Sequence, residues 1–336
     1  MKIIKKNKCL FCLILIPYIY LIIICCYRTN QSALLTGDVE NVNSLIEVEN
    51  AKACKGSFNT IYVIDFDHST IFQNRLVNNS KINTSTSVSD TYNYMTNEEI
   101  SLMGKIQHDS SIEGSLIAAY KAAMVYDSNV RINYSLKGAL VAYYTKEASD
   151  FKIGDLIIGI NDYYISDNID LFRINFKDQK ENDVLHILRN DENVDIVLNE
   201  NNYRHYSIYA KYDIDYDSSV PKIKVNSTNV NGPSGGLLQT LDVFNNLVEA
   251  DYSLGKKIAG TGTININGEV GGIGAVEQKI YTAYKRGVDV FFCPSVNYDD
   301  ALKAYNTLKH KERMALVKVD TLDDALAYLK NELEAN

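Results

Sequence analysis

The first pattern in the chain is a run of apolar positions. From Cys9 to Tyr27 there are 19 residues without a charge, preceded by Lys2, Lys5, Lys6 and Lys8. A helix of that length spans about 28 Å, close to the roughly 30 Å core of a bilayer. The run is also longer than the ~7–15 residues of a cleaved leader's apolar core. It predicts a signal anchor with the lysines in the cytoplasm and everything after Arg28 outside. Residues 28 to about 53 read as a polar, structureless stalk. FNTIYVIDF, after Gly56, predicts a strand. Asn74 to Thr91 is polar and reads as a loop. A helix follows, with Thr96 and Glu99 as a capping box and Ile100, Ile106, Ile112 and Leu116 as apolar positions. Polar residues at Asp109–Ser111 predict a break in it.

Residues 130–200 predict a small β-rich unit: SLKGALVAYYT, FKIGDLIIGIND, NIDLFRINF and the paired runs of VLHILRNDENVDIVL. From Tyr206 strands alternate with helices, which predicts an α/β domain over 206–336. TGTININGEVGG reads as a hairpin turning at Asn267–Gly268. VDVFFCP and ALVKV read as strands. A last helix starts at Thr321, with Asp324 as its cap partner, and buries Leu322, Leu326, Leu329 and Leu333. The expected plan is tail and anchor at 1–27, stalk and strand/helix region at 28–129, then the two units.

Charge narrows the function. The 336 residues carry 42 acidic and 34 basic side chains, a net charge of −8. With no basic cluster after the anchor, nucleic acid is not an expected partner. Cys9, Cys12, Cys25 and Cys26 belong to the apolar run, and only Cys54 and Cys293 remain. That is no disulfide framework. No metal or cofactor is expected.

The candidate chemistry begins at Gly232–Gly236, GPSGG. The residues after it place Leu237, Leu241, Phe244 and Val248 on one helical face, so Ser234 sits at a helix N-terminus. There the backbone N–H groups are unpaired and can hold an anion or an oxyanion. Pro233 fixes the approach angle, and Gly235 and Gly236 let a substrate backbone come close. A serine in this place also serves as a plain helix cap. None of the five histidines, His68, His108, His186, His205 and His310, sits in a motif. A lysine offers a different base. The helix from about Ala275 to Arg286, stopped by Gly287, carries Lys279 beside the apolar stripe of Val276, Ile280 and Ala283. A solvated lysine, with a pKa of about 10.4, is neutral roughly one time in a thousand at pH 7.4. Burial can bring that pKa to about 7–8. Taken alone, Lys279 also reads as a surface lysine.

Together, GPSGG and TGTININGEVGGIGAVEQK resemble the proteolytic domain of the Lon serine peptidases, over about Tyr206 to Leu333. The resemblance implies Ser234 as nucleophile, Lys279 as general base and Thr261 as the residue that orients the lysine. Gly235 stands where that family usually has alanine, Thr263 where glutamate is common, and Ala275 where glycine is frequent. The middle unit resembles a PDZ domain, with Lys137, Gly138, Ala139 and Leu140 in the place of its carboxylate-binding loop. The order of parts is similar to the membrane-anchored PDZ–Lon-like proteases of Gram-positive bacteria. No G-x-x-x-x-G-K-[ST] run occurs, so the ATPase of full Lon is not expected. The resemblance implies an α+β Lon-type proteolytic domain with a PDZ-like domain and an N-terminal transmembrane helix. It implies an ATP-independent endopeptidase outside the membrane that acts on protein or peptide substrates and can form hexamers. The competing reading is an inactive scaffold whose PDZ-like unit binds peptides at the membrane surface.

Overall fold

Both ends of the chain contribute strands to one sheet. The computed structural model describes residues 8–66, 68–80, 82–87, 94–228 and 230–335, with side chains from residue 13 onward. In chain order, helix α1 (Lys8–Cys26) precedes β1 (Gln31–Asn41), β2 (Ile46–Val48), β3 (Ser57–Phe66), α2 (Ile71–Asn78), β4 (Thr84–Ser87) and α3 (Asn97–Ala123). Next come β5 (Arg131–Tyr144), β6 (Leu156–Ile160), β7 (Tyr163–Tyr164), α4 (Ile169–Lys177), β8 (Val184–Arg189), β9 (Glu192–Val197), β10 (Tyr206–Val220) and β11 (Ile223–Val225). The last third holds α5 (Gly236–Leu247), β12 (Lys257–Gly260), β13 (Thr263–Ile264), β14 (Val270–Gly271), α6 (Val276–Lys285), β15 (Val290–Pro294), α7 (Tyr298–Asn306), β16 (Ala315–Val319) and α8 (Leu322–Ala335).

The main sheet has the order β16-β15-β12-β3-β1-β4. Its first four strands are parallel, and β1 and β4 add antiparallel. Every residue of β15 is buried, as a central strand covered on both faces requires. Its side chains alternate between two cores. Val290 and Phe292 join Leu237, Leu241 and Phe244 of α5 and Leu326 and Leu329 of α8. Phe291 and Cys293 face Val276 and Ile280 of α6 and Ala301 of α7. A second sheet, β10-β5-β6-β8-β9 with β7 on β6, packs around Phe151, Ile157, Ile160 and Leu185.

The expected stalk is instead β1 and β2. β1 lies antiparallel to β3 from Ala33↔Phe66 to Asn41↔Asn59, and β2 pairs with β11. The expected loop at 74–91 contains the end of α2 and the strand β4, paired to β1; residues 88–91 lie outside the described residues. Helix α3 does start at the Thr96–Glu99 capping box, but it runs through Asp109–Ser111 unbroken. Tertiary partners absorb the polar side chains: the Ser110 hydroxyl donates to the Ala210 carbonyl and the Ser111 hydroxyl to that of Pro233. The β13–β14 hairpin turns one residue more widely than expected. The Gly268 N–H closes on the Asn265 carbonyl, with Gly268 at φ +82°. In α8, Leu322, Leu326 and Leu329 are buried, whereas Leu333 is 38% exposed, because the helix outruns the sheet there.

Among the described residues no helix is long and apolar enough to cross a membrane. The expected transmembrane helix is therefore not found among them. Lys2, Lys5 and Lys6 lie outside the described residues, as do the side chains of Lys8, Cys9 and Cys12.

Candidate active site

Two loops at the C-terminal side of β12 and ahead of α5 are stitched together by main-chain hydrogen bonds. The Ser234 carbonyl accepts from the Gly262 N–H at 2.9 Å and from the Thr261 hydroxyl at 3.1 Å. In return, the Leu237 N–H donates to the Gly262 carbonyl at 3.1 Å. The Thr261 N–H donates to Phe292 of β15, which carries the sheet's hydrogen bonding one residue beyond β12. Gly262 has φ +145°, and a Cβ there would lie 2.8 Å from Val270. Only glycine fits at that crossing.

Helix α6 brings the amine. Ala275, just before it, is left-handed at φ 60°, which turns the chain sharply into the helix. One turn on, Lys279 is only 3% exposed. Its Nζ donates to Ser234 Oγ at 2.7 Å and to Thr261 Oγ1 at 2.9 Å. Burial pushes its pKa down from 10.5 to about 8. At pH 7.4 that leaves about a fifth of the amine neutral, against roughly one in a thousand in water. Ser234 itself is half-buried and opens on a cleft of ≈ 120 Å³, whose walls include Glu40, Thr60, Tyr62, His108 and Asn231. A larger hollow of ≈ 790 Å³ lies elsewhere, by Tyr126, Arg131 and Tyr252, and contains none of the dyad.

Ser234, Lys279 and Thr261 thus meet, although 45 residues separate the serine from the lysine. The two glycines after Ser234 divide their roles. Gly235 lines the cleft, and a Cβ on it would lie 2.9 Å from the Thr60 methyl, which accounts for glycine in place of alanine. Gly236 is buried, and a Cβ there would sit 3.0 Å from both Ser111 Oγ and the Ile264 nitrogen. Its N–H is directed to the Pro233 carbonyl at 3.4 Å. Gly236 therefore serves the packing of α5 on α3 and not substrate approach. Lys137, Gly138, Ala139 and Leu140 do not form a loop. They lie inside β5, with Gly138↔Lys211, Ala139↔Ala210 and Leu140↔Tyr209 on one side and Ala139↔Ile157 and Leu140↔Leu156 on the other. Ala139 and Leu140 are thus paired on both sides and Gly138 on one, while Lys137 falls at the register shift between Gly138 and Leu136.

His108, set aside at the level of sequence with the other histidines, is a wall of this cleft and is 5% exposed. The available signal was spacing: His108, Ser111 and Ser115 form a polar row at i, i+3 and i+7 in a helix otherwise packed on apolar cores. Among the described residues no cluster of His, Cys, Asp or Glu could hold a metal.

A buried, partly neutral amine hydrogen-bonded to a serine hydroxyl at a cleft is the equipment of a Ser–Lys dyad for acyl transfer. Residues 199–331 match the family model of the Lon protease (S16) C-terminal proteolytic domain. The chain is 32% identical over 131 residues to the Lon protease of Campylobacter concisus, a segment covering 38% of this chain and 14% of that protein. It is 29% identical over 125 residues to the Lon protease of Campylobacter jejuni (36% and 14%), and 33% over 97 residues to that of Clostridium acetobutylicum (28% and 12%). The chain thus spans about one seventh of the length of the first two relatives.

Proposed function

We propose that this chain is a serine endopeptidase that cleaves protein or peptide substrates with the Ser234–Lys279 dyad and without ATP. The observation that supports it most is the 2.7 Å bond between the buried Lys279 amine and the Ser234 hydroxyl, with the amine's pKa near 8. In this reading neutral Lys279 takes the Ser234 proton as Oγ attacks the substrate carbonyl. The resulting ammonium, held by Thr261 Oγ1, returns the proton to the departing amine. Lys279 then takes a proton from the water that attacks the acyl-enzyme and passes it to Ser234 Oγ as the acyl–oxygen bond breaks, which restores the free hydroxyl and the neutral amine. The cleft is narrow, which favours extended, unfolded segments as substrates. These 336 residues contain no phosphate-binding G-x-x-x-x-G-K-[ST] run.

The finer parts of the proposal are placement and assembly. Apolar side chains such as Leu13, Ile16, Ile19 and Ile22 are exposed along α1, which supports membrane association through the N-terminus with the dyad on the outer side. The second sheet is PDZ-like in its order of parts, and we assign it the handling of substrate, by edges other than the enclosed β5 segment. Assembly into hexamers follows by analogy with Lon-type domains. The test is casein hydrolysis by the full chain in detergent, compared with Ser234→Ala and Lys279→Ala. Both variants are expected to lose at least ~10³-fold in rate while keeping the wild-type circular dichroism. Undiminished cleavage by either would remove the dyad.

A further inference from the structure

The cleft beside Ser234 contains a buried acceptor that the fold does not use. His108 Nε2 is buried and has no hydrogen-bond partner among the described residues. Buried polar atoms are nearly always paired, so an unpaired one at the wall of a cleft marks a place for a ligand. Burial holds the pKa of the ring below its ordinary 6.5, against the pull of the Gly232 backbone and the charges of Asp109 and Glu40. The ring is therefore neutral near pH 7 and carries one N–H. The Gly232 backbone contact favours a ring proton, and Nε2 has no partner. That assigns the proton to Nδ1 and leaves the Nε2 lone pair without a partner.

A second acceptor stands close by. Glu40, from β1, lines the same cleft and is near enough to act on the ring electrostatically. Its carboxylate forms no ion pair among the described residues. The cation on the same wall, Lys279, is committed to Ser234 and Thr261. The same cleft is also lined by the apolar side chains of Val42, Leu45, Ile61 and Val63. Apolar walls ending in one neutral and one anionic acceptor suit a long aliphatic stem tipped with a multi-donor cation. We propose that Glu40 and His108 form the specificity pocket for a lysine or arginine side chain of the substrate, next to the bond that is cut. The proposal rests on the peptidase reading, whose substrate class it narrows.

The test uses the full chain and four peptides that differ at a single residue, Arg, Lys, Leu or Glu, with the cleavage site mapped by mass spectrometry. The Arg and Lys peptides are expected to be cut beside that residue with kcat/KM at least ~10-fold above the Leu peptide. Glu40→Gln should bring the Arg/Leu ratio down by about tenfold. His108→Phe, of similar size but without an acceptor, should lower it, and His108→Asn should restore part of it. A purely structural role for His108 would slow the Arg and Leu peptides alike and leave their ratio unchanged. A wild-type ratio near one, or a ratio that neither variant alters, overturns the pocket and leaves the peptidase standing. If no peptide is cut, the peptidase reading fails, and binding decides the pocket. Nα-acetyl-arginine amide should then shift the His108 ring signals in the NMR spectrum of the Ser234→Ala chain, and the leucine amide should not. Equal effects from the two amides, or none, overturn it.

Discussion

Lys279 ties both stability and rate to pH, and the sign follows from its burial. An exposed lysine in the unfolded chain keeps its proton up to 10.5, whereas the folded site releases it near 8. The difference corresponds to about 3 kcal/mol working against the charged amine in the fold. Between those pH values the unfolded chain binds more protons, so stability rises with pH. The penalty is complete below 8 and gone above 10.5. From pH 7 to 9.5 the gain is about 2 kcal/mol. Lys279→Met keeps the stem's volume and removes the charge. Urea unfolding of the two proteins should show the Met variant's advantage shrinking by about 2 kcal/mol over that interval. Other groups cancel in the comparison, including Asp242, whose carboxyl burial pushes up to about 7. The rate must follow the same proton. The neutral fraction is about one tenth at pH 7 and nine tenths at pH 9, so kcat/KM for a peptide should rise about ninefold and then level off. A stability difference that does not change with pH, or a rate midpoint near 6.5 or above 10, would refute a desolvated lysine base.

Thr261→Val removes an acceptor from the Lys279 amine and a donor to the Ser234 carbonyl. The charged amine loses support, so the midpoint of the pH–rate profile should fall below 8 while the maximal rate drops about 10–100-fold. Gly235→Ala places a methyl 2.9 Å from Thr60 Cγ2 and should cost ~1–2 kcal/mol in thermal unfolding. Adding Thr60→Ser removes that methyl and should recover most of the loss, and strictly additive effects would exclude the contact. Ala275→Gly relieves a left-handed alanine and should raise the urea midpoint by an amount worth about 0.5–1 kcal/mol.

Both halves of the site were legible because each lies in one continuous segment with local markers. GPSGG precedes a helix whose apolar face is plain. Lys279 sits on the stripe of Val276, Ile280 and Ala283, bounded by a turn at Gly268 and a stop at Gly287, which has φ 67°. Pairing between distant segments leaves no such marker. In β1 only Ala33 is fully buried and the rest is partly exposed, so 28–53 looked like a stalk. It is a strand because β3 offers an open edge. Polar residues at Thr84–Ser87 were recruited to β1 in the same way. The KGAL segment was read as a loop only through its likeness to a PDZ carboxylate-binding loop, yet a Cβ at Gly138 would lie 2.5 Å from Leu156, so the glycine is there for close packing within the sheet.

Helix α3 explains why the two sheets and the site belong to one mechanical unit. Ile106 packs into the core of the second sheet, and Ile112, Leu116 and Tyr120 into that of the main sheet. Interleaved with them, Ser111, Glu113 and Ser115 are buried polar groups that each meet a specific partner. Glu113, buried, accepts from the Lys211 amine and, at 2.8 Å, from the Tyr212 N–H of β10. Ser111 holds the carbonyl of Pro233, the residue before Ser234, and Ser115 holds that of Gly236, two residues after it. Buried polar bonds of this kind are costly to leave unmade, so β10 cannot shift along α3 without disturbing Glu113. A rigid helix transmits that constraint to both sides of Ser234. The polar row that looked like a break in the sequence is therefore the contact that sets where the serine points.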